Sequence, residues 1–236
     1  MNLHPVACPA VPYSTLLFDL DHTLFDSDAS EAAAFDITMR AAGVSDPSTV
    51  LAVYRRINGA LWAGVEAGTV RPIEVRTRRF ERLFAEAGID ADVEEMADLF
   101  VRSLGDNGDL YPGAREVLED LAGKAHLALV TNGLSDVQRA RIGRLSIGEL
   151  FETVVVSSEV GVTKPRPEIF ELAFEKLGNP PKRSAVMIGD SLTSDIAGGA
   201  NFGIDTCWYN PKGLDRNGMD VTHEVADLAS LRMLVD

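Results

Sequence analysis

The chain has 236 residues, 46% of them hydrophobic and 25% charged, an ordinary globular composition with enough length to bury a full core. Its formal charge of −14 argues against nucleic acid as a partner, because binding to a phosphate backbone is driven by lysine and arginine. No apolar run approaches the roughly 20 residues needed to cross a bilayer, and two cysteines, Cys8 and Cys207, are too few for a disulfide framework.

The stretch from Met1 to Pro12 has no basic n-region and holds three prolines, so it does not read as a signal peptide. These features together predict a soluble cytoplasmic protein that does not engage membranes. The acidity also sets a requirement. A site for a small anionic substrate must carry its own positive charge from a metal, a lysine or backbone amides.

In chain order, Leu16, Leu17 and Phe18 form a short apolar run that ends in two carboxylates, as a buried strand does when it emerges into a site. Residues 26–106 then read as consecutive helices: Ala29 to Ala42, Pro47 to Glu66, Pro72 to Ala87 and Asp92 to Leu104. Gly43 and Gly88 supply stop signals and prolines fall in first turns. Such an inserted block fits either a lid over the active end of a sheet or an extra packing layer.

From residue 107 onward, helical segments alternate with strands. The helices are Ala114 to Ala122, Ser135 to Leu145, Glu168 to Leu177 and Thr193 to Phe202. The strands are His126 to Val130, Thr153 to Val156, Ala185 to Ile188 and Asp205 to Tyr209. Alternation of this kind predicts an α/β fold, a parallel sheet with helices on both faces, with ligands at the carboxyl ends of the strands. Residues 14–25 and 107–236 would form that core, and residues 26–106 the helical cap.

The chemistry-bearing residues gather at those strand ends. Asp19 and Asp21 lie two apart in extended chain, so both carboxylates can face one volume, where they repel unless a cation or proton joins them. One can then attack phosphorus while the other handles the proton. Thr131-Asn132-Gly133 offers a hydroxyl and backbone amides to phosphoryl oxygens, though it is also common turn chemistry. Lys164-Pro165-Arg166-Pro167, where prolines stiffen the chain at a helix entrance, could neutralise phosphate charge through the lysine or lie in an exposed basic turn. Asp190 and Asp195, flanking a helix start, suit a Mg²⁺ ion or simple helix capping.

Taken in order, these elements resemble the haloacid dehalogenase superfamily of hydrolases, whose pattern is Asp-x-Asp-x-Thr, then Ser or Thr, then Lys, then Gly-Asp with a further acid. The resemblance runs from Ser14 onward and implies a Rossmann-like core. It also implies a Mg²⁺-dependent phosphatase with Asp19 as nucleophile and Asp21 as proton donor and acceptor. Thr131, Asn132 and Lys164 would bind phosphate. Mg²⁺ would sit on Asp19, the main-chain carbonyl of Asp21 and Asp190, with Asp195 in direct or indirect contact. Dehalogenases of the superfamily typically replace the second aspartate, so Asp21 favours a phosphatase; a phosphomutase stays open.

The stretch Gly189 to Gly199, with Gly203 to Asn210 and Val130 to Gly133, is similar to pyrimidine 5′-nucleotidases acting on dUMP, UMP and dTMP. The substrate implied is a small phosphorylated metabolite, a nucleoside monophosphate. Phosphoglycolate or a sugar phosphate is the alternative, and a catalytically silent binding protein the non-enzymatic one. In the cap, Arg76, Arg79 and Trp62 are candidates for choosing the substrate, against a solvated helix face for the arginines and a core position for Trp62. His22 is expected to point away from the aspartates, and Cys207, Trp208 and Asn210 to be structural.

Overall fold

The computed structural model describes residues 12–236. Cys8 and nearly all of the stretch read above for a signal peptide lie outside the described residues. Six parallel strands are β1 (Thr15–Phe18), β2 (His126–Thr131), β3 (Thr153–Val156), β4 (Ala185–Gly189), β5 (Asp205–Tyr209) and β6 (His223–Val225). They form one sheet in the order β3-β2-β1-β4-β5-β6. β1 pairs with β2 on one side and β4 on the other, so strand order reverses beside it. A ligand crevice opens at the carboxyl ends of such strands.

Helices cover both faces, which is why β1 reads as an uninterrupted Thr-Leu-Leu-Phe with every residue buried. Leu16 and Phe18 pack with Leu127, Leu129, Val186 and Ile188 against α5 (Ala114–Ala122). Leu17, pointing the other way, joins Ala128, Val130 and Met187 under α8 (Pro167–Lys176) and Phe202 of α9 (Ala197–Phe202). The two-residue alternation of the strands therefore divides the core into two layers.

Between β1 and β2 lie α1 (Ser27–Ala41), α2 (Ser48–Glu66), α3 (Pro72–Ala87) and α4 (Val93–Asp106). The Asp26 carboxylate accepts from Ala29 N at 3.0 Å and that of Asp92 from Glu95 N at 2.8 Å, capping α1 and α4. Gly88 ends α3 at φ 66°, a conformation that costs glycine little. These helices have a core of their own, built on Tyr54, Phe80, Phe84 and Phe100, and they rest on Leu134 and Val137 at α6 (Ser135–Arg144). The chain enters and leaves the block side by side: Asp26 N donates to Asp109 O at 2.9 Å and Tyr111 N to Leu24 O at 2.8 Å.

Two short elements were not predicted from sequence, α7 (Ser157–Val160) and β6, because four and three residues are too few to establish a period. The helix predicted from Thr193 opens differently from the expectation. Residues Leu192–Ile196 form a π-helical turn before α9. Both Asp195 N and Ile196 N donate to Ser191 O, at 3.0 and 3.1 Å, and the widened turn keeps Asp195 buried.

Phe100 is packed edge-on against Tyr54 and Phe80 at the centre of the block. Phe100→Ala is expected to lower stability in urea unfolding by about 3–5 kcal/mol; a loss under about 1 kcal/mol would show that this cluster does not hold the block together.

Candidate active site

The tight turn after β1 sets the first two carboxylates. Thr23, Leu24 and Phe25 all donate backbone N–H groups to Leu20 O, and His22 takes the left-handed conformation at φ 60°. Asp19 is buried, and its Oδ1 accepts from Lys164 Nζ at 2.5 Å. Lys164 is 1% exposed and donates also to Asp195 Oδ1 at 2.7 Å. The other oxygen of Asp195 accepts from Ser191 N at 3.0 Å. Gly189 makes this close packing feasible, because a Cβ there would lie 2.2 Å from Asp195 Oδ2.

Asn132 fixes the lysine from behind. Its side chain donates to Lys164 O and accepts from Lys164 N, each at 2.9 Å, stapling the end of β2 to the lysine loop. Asp190 is oriented through its backbone: its N–H donates to Thr23 Oγ1 at 3.1 Å, and Trp208 Nε1 donates to its carbonyl at 2.7 Å. Trp208 thus has a structural role, as does Cys207, which is fully buried in β5.

Asp19, Asp190 and Asp195 each present an oxygen within 4.8 Å of the others. Burial, and then the neighbouring Asp195, push the Asp190 carboxyl up to about 6. Burial also raises Asp19, against the pull of Lys164. One lysine does not balance these carboxylates, and an all-oxygen cluster short of positive charge suits a hard divalent cation. Both oxygens of Asp195 are already engaged by Lys164 and Ser191, which leaves Asp19 and Asp190 the better-placed direct ligands.

Asp21 is held apart from that cluster. Its Oδ1 accepts from Arg141 Nη1 at 2.7 Å and Ser27 Oγ at 2.5 Å, and its Oδ2 from Gln138 Nε2 at 2.6 Å. Burial disfavours the ionised carboxyl, but Arg141 and these hydrogen bonds outweigh it and hold Asp21 below the usual carboxylate range. Arg141 in turn donates to Leu104 O at 3.1 Å and Ser30 Oγ at 2.9 Å, and its guanidinium lies 4.4 Å from the centre of the Phe25 ring. One side chain therefore ties Asp21 to two helices of the inserted block.

All of this opens into a cavity of about 390 Å³ between the sheet and the block. Of the residues singled out from sequence, Asp19, Asp21, Asn132, Lys164, Asp190, Asp195, Trp62 and Arg79 line it. Thr131 does not; it is fully buried, and its hydroxyl accepts from Gln138 Nε2 at 2.8 Å. Arg76 does not either. It is drawn to Asp98 and Asp136, both at 2.7 Å, and links α3 to α4 and α6. His22, expected to point away, lies at the cavity wall with Nδ1 4.0 Å from Asp28. Gln138, Arg141, Glu31 and Asn58 were missed. The spacing of Gln138 and Arg141 on one face of α6 was the only available signal, and polar residues three apart on a helix are commonplace.

Arg141→Met leaves Asp21 without its cation, and a loss of about 3–5 kcal/mol in urea unfolding is expected, partly recovered in Arg141→Lys. Asp190 binds its proton more tightly folded than unfolded, so its contribution to the stability of the cation-free protein is lost as pH rises from 3.8 through about 6. A divalent cation relieves that loss. The rise in melting temperature on adding Mg²⁺ is expected to be larger at about pH 7.5 than at about pH 5; equal rises would place the ion elsewhere.

Comparison with known proteins identifies the family. The profile of the haloacid dehalogenase-like hydrolases matches residues 13–203. The chain is 34% identical to pyrimidine 5′-nucleotidase PynA of Streptococcus pneumoniae over 95% of each sequence. It is 31% identical to pyrimidine 5′-nucleotidase YjjG of Escherichia coli over 93% of this chain and 96% of that one. The crystal structure of the HAD-hydrolase YfnB of Bacillus subtilis, bound to magnesium and described as revealing interdomain movement, superimposes with a TM-score of 0.87 at 33% identity. That match covers 95% of this chain and 99% of the other. The chain belongs to the haloacid dehalogenase-like hydrolases.

Proposed function

We propose that this hydrolase is a Mg²⁺-dependent phosphatase that removes phosphate from pyrimidine nucleoside 5′-monophosphates through an aspartyl phosphate on Asp19. The observation that carries the reading is a single cavity in which Asp19, Lys164 and Asp190 face residues of the inserted helices, Trp62 and Arg79 among them. A phosphate and the organic group attached to it can occupy one space there. The likeness to two pyrimidine 5′-nucleotidases over nearly their whole length supports the substrate class.

In this reading Asp19 attacks phosphorus as the ester P–O bond breaks, and Asp21 gives a proton to the leaving oxygen. Asp21 is ionised in the resting site; a phosphate dianion arriving beside it raises its proton affinity by like-charge repulsion, which favours the acid form. Asp21 then takes a proton from the water that attacks the aspartyl phosphate, releasing inorganic phosphate and restoring Asp19. Lys164 balances charge on the transferring group. Thr131, buried behind the cavity wall, accepts from Gln138 and so helps orient the amide that meets Asp21. Mg²⁺ would rest on Asp19, Asp190 and the Asp21 carbonyl, with Asp195 positioning Lys164, and would supply charge neutralisation to the phosphoryl oxygens.

Residues 26–106 act as a lid in this reading. A core separate from the sheet, two adjacent crossings and a hydrogen bond of 2.9 Å from Thr193 Oγ1 to Glu66 Oε2 across the mouth support it.

Phosphate release should be measured with Mg²⁺ on dUMP, UMP, dTMP, AMP, phosphoglycolate and glucose 6-phosphate, with Asp19→Asn alongside. Preference for the pyrimidine nucleotides, lost by at least about 10³-fold in Asp19→Asn, is expected. Hydrolysis confined to another ester would remove the nucleotidase reading and keep the nucleophile. Full activity in Asp19→Asn would remove both.

A further inference from the structure

The wall of the cavity contributed by the inserted helices is polar in a specific way. Asn58, 7% exposed on α2, donates from Nδ2 to Glu31 Oε2 at 3.1 Å. A carboxylate accepts only, so the amide nitrogen must face Glu31, and Oδ1 is left over. That oxygen is buried with no hydrogen-bond partner among the described residues. Leaving a buried acceptor unpaired is costly, and such a group in a cavity wall calls for a donor from outside the protein.

Arg79, 2% exposed on α3, stands near it with the opposite polarity. Its Nε donates to Val75 O at 2.9 Å, its Nη1 to Tyr54 Oη at 3.4 Å, and its guanidinium lies 5.0 Å from the centre of the Phe100 ring. Those contacts clamp the guanidinium, while Nη2 has no hydrogen-bond partner among the described residues. Trp62, one turn beyond Asn58 on α2, lines the same cavity with a flat apolar surface.

Resting on the nucleotidase reading above, we propose that Asn58, Glu31 and Arg79 form a subsite for the imide edge of a uracil or thymine ring, stacked on Trp62. The ring N3–H gives its hydrogen to the acceptor side formed by Asn58 Oδ1 and Glu31, and a ring carbonyl accepts from Arg79. Cytosine places a lone pair at N3 where uracil has a hydrogen, so acceptor meets acceptor and the buried oxygen stays unpaired. Discrimination by an unmet buried polar group is the strong kind, far beyond what an added methyl group achieves.

The test is the ratio of kcat/KM for UMP to that for CMP, measured in the wild-type enzyme, Asn58→Leu and Arg79→Met, with circular dichroism and melting curves on each. The wild-type ratio is expected to exceed about 10, and Asn58→Leu to lower it by about tenfold or more. Arg79→Met is expected to raise KM for UMP more than it lowers kcat. A substitution that merely loosened the fold would depress both nucleotides together and leave the ratio where it was. To keep the test open if Asn58→Leu fails to fold, Asn58→Asp, which keeps the volume and sets a second carboxyl beside Glu31 so that the two share a proton, is expected to offer a hydrogen to cytosine N3 and lower the UMP to CMP ratio. A wild-type ratio near 1, or a ratio unmoved in every folded variant, would overturn the subsite while the nucleotidase reading stood. No hydrolysis of either nucleotide, with another ester cleaved, would overturn that reading and the subsite with it.

Discussion

A lysine with almost no exposure, lodged between two aspartates, is the constraint on which the site depends. Lys164 Nζ sits 2.5 Å from Asp19 and 2.7 Å from Asp195, and none of the three side chains is more than slightly exposed. Buried charges of this kind persist only when paired and hydrogen-bonded, so each element that carries one must be held in place. The Asn132 staple, the missing side chain at Gly189 and the widened turn after Ser191 all serve that end. The triad still carries more negative than positive charge. That deficit is what would give the site an affinity for a cation.

A second buried cation divides the labour. Arg141 keeps Asp21 ionised and separate from the Asp19 cluster, so two carboxylates two residues apart sit in opposite electrostatic surroundings. Without a cation these directions run opposite to the proposed roles, and a cation on Asp19 with a phosphate beside Asp21 would shift both the other way. Because Arg141 also grips Leu104 O and Ser30, the environment of Asp21 depends on where the inserted helices sit. The electrostatic environment of Asp21 and the position of the block are thereby joined through one guanidinium.

The cavity combines two styles of recognition. Toward the sheet it is dense with charge, and in the proposed function it would read a phosphate by electrostatics. Toward the helices it offers Asn58, Arg79 and Trp62, groups suited to reading shape and hydrogen-bond pattern. Lys164 alone leaves the sheet side of the cavity net negative, so an anion would be accepted there only once a cation had balanced Asp19, Asp190 and Asp195.

The amino-acid sequence by itself determined the alternation of strands and helices, the inserted helical block and the gathering of Asp19, Asp21, Lys164, Asp190 and Asp195 at strand ends. These are legible because period, caps and spacing are local properties, and a strand buried on both faces leaves an unmistakable apolar run. Only the tertiary structure decided which of the arginines in α3 faces the cavity: Arg79 does, and Arg76 is taken by Asp98 and Asp136 from two other helices. It alone revealed Gln138 and Arg141 beside Asp21, from residues 117 and 120 positions away, and the unpaired oxygen of Asn58. Partnership across such distances leaves no periodic trace in a single chain. Whether a polar side chain is solvated, paired or left waiting for a ligand is settled by what the fold brings up against it.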